Sequence, residues 1–209
     1  MKKQHKIPSP EELNSLLAHY QNGEFEKASM LAESITKKFP AHILSWQILG
    51  AVFSQTGRKS EAVVANQRAV KLDPHDPQVH YNLGITLQEI SRFDDAETSY
   101  KKAIARKSDF IQAHSNLGNV LKELGRLDEA EACYRQAITL KPDFAQDHCS
   151  LGVALKELGR LDEAEACYRQ AITLKPDYNQ AHYNLGNVLK ELGRLDEAEA
   201  CYRQAITLK

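Results

Sequence analysis

Residues 121–141 read LKELGRLDEAEACYRQAITLK, and the same residues recur without a change at 155–175 and 189–209. The repeat distance is 34 residues, and it extends well beyond the identical segments. Gly50, Gly84, Gly118, Gly152 and Gly186 keep it, as do Ala62, Ala96, Ala130, Ala164 and Ala198. Tyr100, Tyr134, Tyr168 and Tyr202 keep step, and so do Pro40, Pro74, Pro142 and Pro176, with Ser108 where one proline is missing. A chain with such an internal period is built from copies of one supersecondary unit. The divisions are a tail at 1–8, a degenerate first unit at 9–42, then 43–76, 77–110, 111–144, 145–178 and a truncated 179–209. Together they are expected to form one continuous repeat domain.

Each unit reads as two helices. In 111–144, His114, Leu117, Leu121 and Leu124 follow a 3-4-3 spacing that gives one apolar stripe. Gly125 can take the left-handed conformation that ends a helix. Asp128 is placed to cap the next helix, with Glu131 three residues on as its reciprocal partner. Ala130, Tyr134, Ala137 and Ile138 then point inward. Ser9-Pro10 with Glu12, and Asp76-Pro77, each set a cap before a proline that suits the first helical turn. Gly118 and Ala130 would face each other across the hairpin and let its helices approach. One such hairpin cannot bury enough apolar surface alone, so neighbours must stack and share a core. The expected fold is all-α, an α-solenoid.

Bulk properties exclude several classes. Lys plus Arg number 27 against 28 for Asp plus Glu, a net charge of −1, so no basic field recruits nucleic acid or an acidic membrane. No stretch approaches the roughly 18 apolar residues of a membrane span, and the N-terminus lacks the apolar run of a secretory signal. A soluble, cytoplasmic protein is expected. Cys133, Cys167 and Cys201 sit at equivalent places in stacked units, too far apart to bridge, and no C-x-x-C pair suggests zinc. His80, His114, His148 and His182 form a ladder, but positions about 10 Å apart cannot share one ion, and Trp46 fills the same place earlier. Packing is the expected role. No nucleophile elbow, phosphate loop or His-Glu metal motif appears, so the chain is expected to be no enzyme and to need no cofactor or metal.

The pattern resembles the tetratricopeptide repeat family. The matching residues are Trp46 with Leu49-Gly50, YNLG at 81–84 and 183–186, and the alanines, tyrosines and prolines above. The departures are Asn66 in place of an aromatic and Ser91 in place of the turn glycine. The resemblance implies a right-handed superhelix of helix pairs.

On the first helix of 111–144, Gln112, Asn116, Asn119 and Glu123 form one ridge by 4-3-4 spacing. Its counterparts are Gln78, Asn82, Ile85 and Glu89; Gln146, Ser150, Val153 and Glu157; and Gln180, Asn184, Asn187 and Glu191. The resemblance places these ridges on the concave side. A carboxamide carries both donor and acceptor, so a row of them can grip an extended peptide backbone. The sites expected to bind peptide are therefore Asn82, Asn116, Asn119, Asn184 and Asn187, with Gln78, Gln112, Gln146, Gln180 and Ser150. The alternative reading is a solvated helix face.

The run AHSNLGNVLKELGRLDEAEACYRQAITLKPDF at 113–144 is also similar to the repeat arm of O-linked N-acetylglucosamine transferases. That resemblance implies an asparagine ladder for substrate polypeptide at Asn82, Asn116 and Asn184, interrupted by Ser150 and lacking at Ile48. The chain is accordingly expected to be an interaction scaffold for a peptide or partner helix, with the substrate arm of a larger glycosyltransferase or sulfotransferase as the alternative. A clamp for a C-terminal carboxylate needs cations where this chain has Ser115, Asn119, Ser150, Gln180 and Asn184. An RNA-reading helical repeat is disfavoured because it would need cationic or aromatic residues along the face. At the last unit, Tyr202, Ala205, Ile206 and Leu208 are residues a following helix would cover, which implies a longer protein or self-association through 196–209.

Overall fold

The computed structural model describes residues 7–208. Within them the chain forms twelve α-helices, paired into hairpins that group into two compact units divided between Ser108 and Asp109. The first unit holds α1 (Pro10–Gln21), α2 (Phe25–Lys38), α3 (Ile43–Gln55), α4 (Lys59–Leu72), α5 (Pro77–Glu89) and α6 (Phe93–Arg106). The second holds α7 (Ile111–Glu123), α8 (Leu127–Leu140), α9 (Ala145–Glu157), α10 (Leu161–Leu174), α11 (Asn179–Glu191) and α12 (Leu195–Thr207). In each unit a helix packs on its hairpin partner and on the first helix of the next hairpin; α3 also touches α5, and α9 touches both α7 and α11. Within their units, the first helices α3 and α5, and α7, α9 and α11, thus lie side by side.

Turn chemistry follows the sequence. Gly125 has φ +73°, a region where a Cβ is unfavourable, and its amide bonds the Lys122 carbonyl at 2.9 Å. Ser91 stands at the same turn with φ 59°. Ser9 and Glu12 form the reciprocal capping box, and Asp76 accepts from the Gln78 amide at 2.8 Å. Asp128 does not cap α8, however. The helix starts two residues earlier, with Arg126 at the cap position and no side-chain cap bond, so Asp128 lies in the first turn. Arg126 bonds Glu129, and Glu131 is drawn instead to Arg135 and Arg160. Charge pairing between hairpins replaces the local capping box.

The buried arc of the first helix is wider than the 3-4-3 stripe. Ala113, Leu117, Gly118, Val120 and Leu121 are buried, whereas His114 and Leu124 are only half-buried. The physical reason is contact on two sides, with α8 and with α9. On the second helix Ala130, Tyr134 and Ala137 are fully buried, and Ala96 and Ala164 repeat the pattern.

The histidine ladder is a set of main-chain latches. His80, His148 and His182 place Nε2 3.0, 2.8 and 2.9 Å from the carbonyls of Pro74, Pro142 and Pro176. A carbonyl only accepts, so Nε2 carries the proton. Trp46 donates from Nε1 to the Pro40 carbonyl at 3.0 Å, the same bond made by a different ring. Each latch ties the helix to the proline turn that precedes it.

Candidate functional site

The side chains of the amide ridges are already organised by hydrogen bonds. Spacing of four residues brings Gln78 and Asn82 onto one helix face, and Gln78 Nε2 donates to Asn82 Oδ1 at 2.8 Å. Gln180 and Asn184 repeat the pair at 2.9 Å. Asn119 and Asn187 turn toward their own hairpins: Tyr134 and Tyr202 donate to their Oδ1 atoms at 2.8 and 2.9 Å. The tyrosine hydroxyl thereby fixes which end of the amide points away from it. Asn184 also reaches back one hairpin, donating from Nδ2 to the Cys149 sulfur at 3.8 Å, and Gln146 accepts from the Tyr178 hydroxyl.

Burial matches an accessible polar row. Gln78, Gln112, Gln146 and Gln180 are exposed, while Asn82, Asn116, Asn119, Ser150, Asn184 and Asn187 are half-buried. The residues in 109–209 lie on α7, α9 and α11, which are neighbours in one unit; Gln78 and Asn82 lie on α5 of the other. Two of the cations beside the row are paired: Lys122 Nζ lies 2.8 Å from Glu123 and Lys156 Nζ 2.8 Å from Glu191. Such a face offers amide donors and acceptors to a polypeptide backbone with little net charge.

Sequence reasoning missed three participants. Cys149 is buried, and burial pushes its thiol up; Tyr178 is raised as well, chiefly by burial. Asp147 is 1% exposed, its Oδ2 has no partner, and burial raises its pKa against a hydrogen bond with Ser115. The signal for Asp147 lay in the register: Ala113 and Ala181 occupy the same place one unit either side. Of the residues expected to self-associate, Ile206 is 72% exposed and Ala205 is buried, while Tyr202 and Leu208 are half-buried. Tyr202 packs on Tyr183, ring centroids 5.8 Å apart.

All four cysteines are free thiols, and the described residues contain no group of three or more metal-ligating side chains that could hold an ion. No helix among them is long and apolar enough to cross a membrane.

Residues 50–91, 118–159 and 154–193 match the family described as TPR repeat, and 77–110 and 180–209 match tetratricopeptide repeat. Among curated proteins, the peroxisomal targeting signal receptors of Candida glabrata and Saccharomyces cerevisiae are each 32% identical over 74 residues. That segment is 35% of this chain and 12% of either receptor, so the match spans about an eighth of the relatives' length. Among solved structures, MamA superposes with a TM-score of 0.72 at 25% identity, covering 77% of this chain and 94% of MamA. YrrB, described as a TPR protein with an unusual peptide-binding site, gives 0.70 at 18% identity over 85% of this chain and 92% of its own. PilF of Pseudomonas aeruginosa gives 0.73 at 21%, over 80% and 76%.

Proposed function

This chain belongs to the tetratricopeptide repeat family, and we propose that it is an interaction scaffold that holds an extended peptide of a partner protein along its first-helix face. The observation that carries the reading is the set of oriented carboxamides on α7, α9 and α11. Gln180 holds Asn184, Tyr134 holds Asn119 and Tyr202 holds Asn187. Side chains held in place before binding lose less rotamer freedom when a ligand arrives. An amide whose Oδ1 is occupied presents its NH2 as a donor, which suits the carbonyls of an extended backbone. Asn116 and Gln112 stand beside this set on α7, and Ser150 offers a hydroxyl between them and Asn184. In the other unit, Gln78 and Asn82 supply the same pair on α5. The solved relative described as having a peptide-binding site lends support by kinship of fold.

The test uses peptides selected from a random display library on the full chain, with affinity read by fluorescence anisotropy. Asn116→Ala combined with Asn184→Ala removes two neutral amide contacts, each worth about 0.5–1.5 kcal/mol, so affinity falls roughly 5- to 150-fold. The melting temperature stays near that of the parent because neither residue is core. Unchanged affinity moves the site off this face.

A further inference from the structure

The second hairpin lacks the tyrosine that fills every later one. Asn66 stands in the register of Tyr100, Tyr134, Tyr168 and Tyr202, and a cavity of about 260 Å³ lies beside it. Tyr20, Ala51, Ser54, Asn66, Ile85 and Glu89 are among its walls, all within residues 1–108. Ala51 corresponds in register to Asn119 and Asn187, which accept the tyrosine hydroxyls in their own hairpins. The space is thus the place of a missing phenol, opened on the side where the later hairpins carry their amide row.

Its polar groups are set by a chain of hydrogen bonds. Thr86 donates its one proton to the Asn82 carbonyl at 3.0 Å, so it can only accept from Asn66 Nδ2, 2.8 Å away. That fixes the amide orientation and leaves Asn66 Oδ1 without any partner, although the residue is 2% exposed. An unmet acceptor at that burial is costly, on the order of 1–3 kcal/mol, and few native groups tolerate it. Ser54 gives its proton to Glu89 Oε2 at 2.7 Å. Lys59 Nζ is engaged by the main-chain carbonyl of Glu89, at 3.0 Å, and forms no ion pair with its carboxylate. The Thr86 and Ser54 hydroxyls are therefore committed as donors, while the Glu89 carboxylate can still accept.

We propose that this cavity is a specificity pocket for a cationic side chain, lysine or arginine, of the bound peptide. Its aliphatic stem lies against Ala51 and Ile85, and its head donates to the Glu89 carboxylate at the exposed end of the pocket. The volume is below the 300–1,000 Å³ of typical small-molecule sites, which suits one side chain better than a whole ligand. The proposal rests on the peptide-scaffold reading, but its pocket lies in 1–108, apart from the residues used to test that reading.

The experiment titrates N-acetyl-arginine methylamide and N-acetyl-lysine methylamide into the ¹⁵N-labelled full chain, with the norleucine and glutamate analogues as comparisons. The Asn66 side-chain NH2 resonance and the amides of Ser54 and Ile85 report binding. Saturable shifts are expected for the cationic probes, with affinity at least about tenfold weaker for norleucine and none for glutamate. Glu89→Gln should weaken the cationic probes about tenfold and leave the melting temperature unchanged. Asn66→Tyr restores the residue of the later hairpins, fills the cavity and should abolish the shifts while the fold is retained. Equal binding of norleucine, or full binding to Asn66→Tyr, overturns the proposal. Asn116→Ala with Asn184→Ala should leave these titrations unaltered, so loss of peptide binding in that variant with the pocket intact separates the two readings.

Discussion

The ring of Tyr134 covers Gly118 so closely that a Cβ at that glycine would lie 2.7 Å from Cε1. Tyr134 is fully buried and its hydroxyl is anchored on Asn119, so the ring has nowhere to retreat. The small residue therefore serves the tyrosine, not Ala130 across the hairpin. Gly118→Ala should cost about 1–3 kcal/mol by overpacking, despite alanine's better helix propensity. A urea denaturation midpoint equal to the parent's would show that the hairpin relaxes around the added methyl.

Asp147 should make the protein less stable as pH rises. Burial holds its folded pKa above the unfolded value of about 3.9, so its contribution is fully present below about pH 4 and is lost as pH climbs through the folded pKa. Ala113 and Ala181 show that a methyl fits the same place, both fully buried. Asp147→Ala should therefore raise stability at pH 7 by about 1–3 kcal/mol and flatten the descending limb of stability against pH. Urea titrations from pH 4 to 8 on both proteins provide the check.

The ion-pair bridges between hairpins should act in the opposite sense. Burial raises the pKa of Glu165, but Arg169 and Arg194, 2.8 and 2.7 Å away, outweigh it and hold it below the ordinary range. The stabilisation is present above about pH 4.3 and is lost as pH falls through the lowered folded pKa. Glu165→Gln should lower the urea midpoint at pH 7 and make no difference once the carboxyl is protonated in acid. A deficit that persists at pH 2 would mean that packing, not charge, is what the side chain provides.

The histidine latches admit a direct exchange. His148→Phe keeps the ring and removes the donor to the Pro142 carbonyl, which should cost about 0.5–1.5 kcal/mol. His148→Trp should recover it, since Trp46 makes the same bond to Pro40. Thermal melts of the two variants side by side decide it; equal losses would mean that the bond contributes nothing.

Much of this molecule could be read from the register of its residues. The period of 34, the left-handed glycines and the buried alanines and tyrosines depend on contacts within one hairpin, where spacing along the chain is nearly spacing in the structure. The amide ridge followed for the same reason, since residues four apart on a helix are neighbours, and Gln78–Asn82 and Gln180–Asn184 are in contact.

What needed the tertiary structure lies between hairpins or across their helices. Glu131 left its expected place in a capping box because Arg160, 29 residues on, approaches to 2.6 Å, and a helical-period argument contains no such partner. The burial of Asp147 with its Oδ2 unmet depends on contacts brought by neighbouring helices. Asn66 was visible as a missing aromatic, but the cavity beside it and the orphaned Oδ1 are properties of what surrounds it. Local periodicity specifies which faces are apolar; the meeting of those faces specifies which polar groups are left wanting a partner, and there the chemistry of recognition begins.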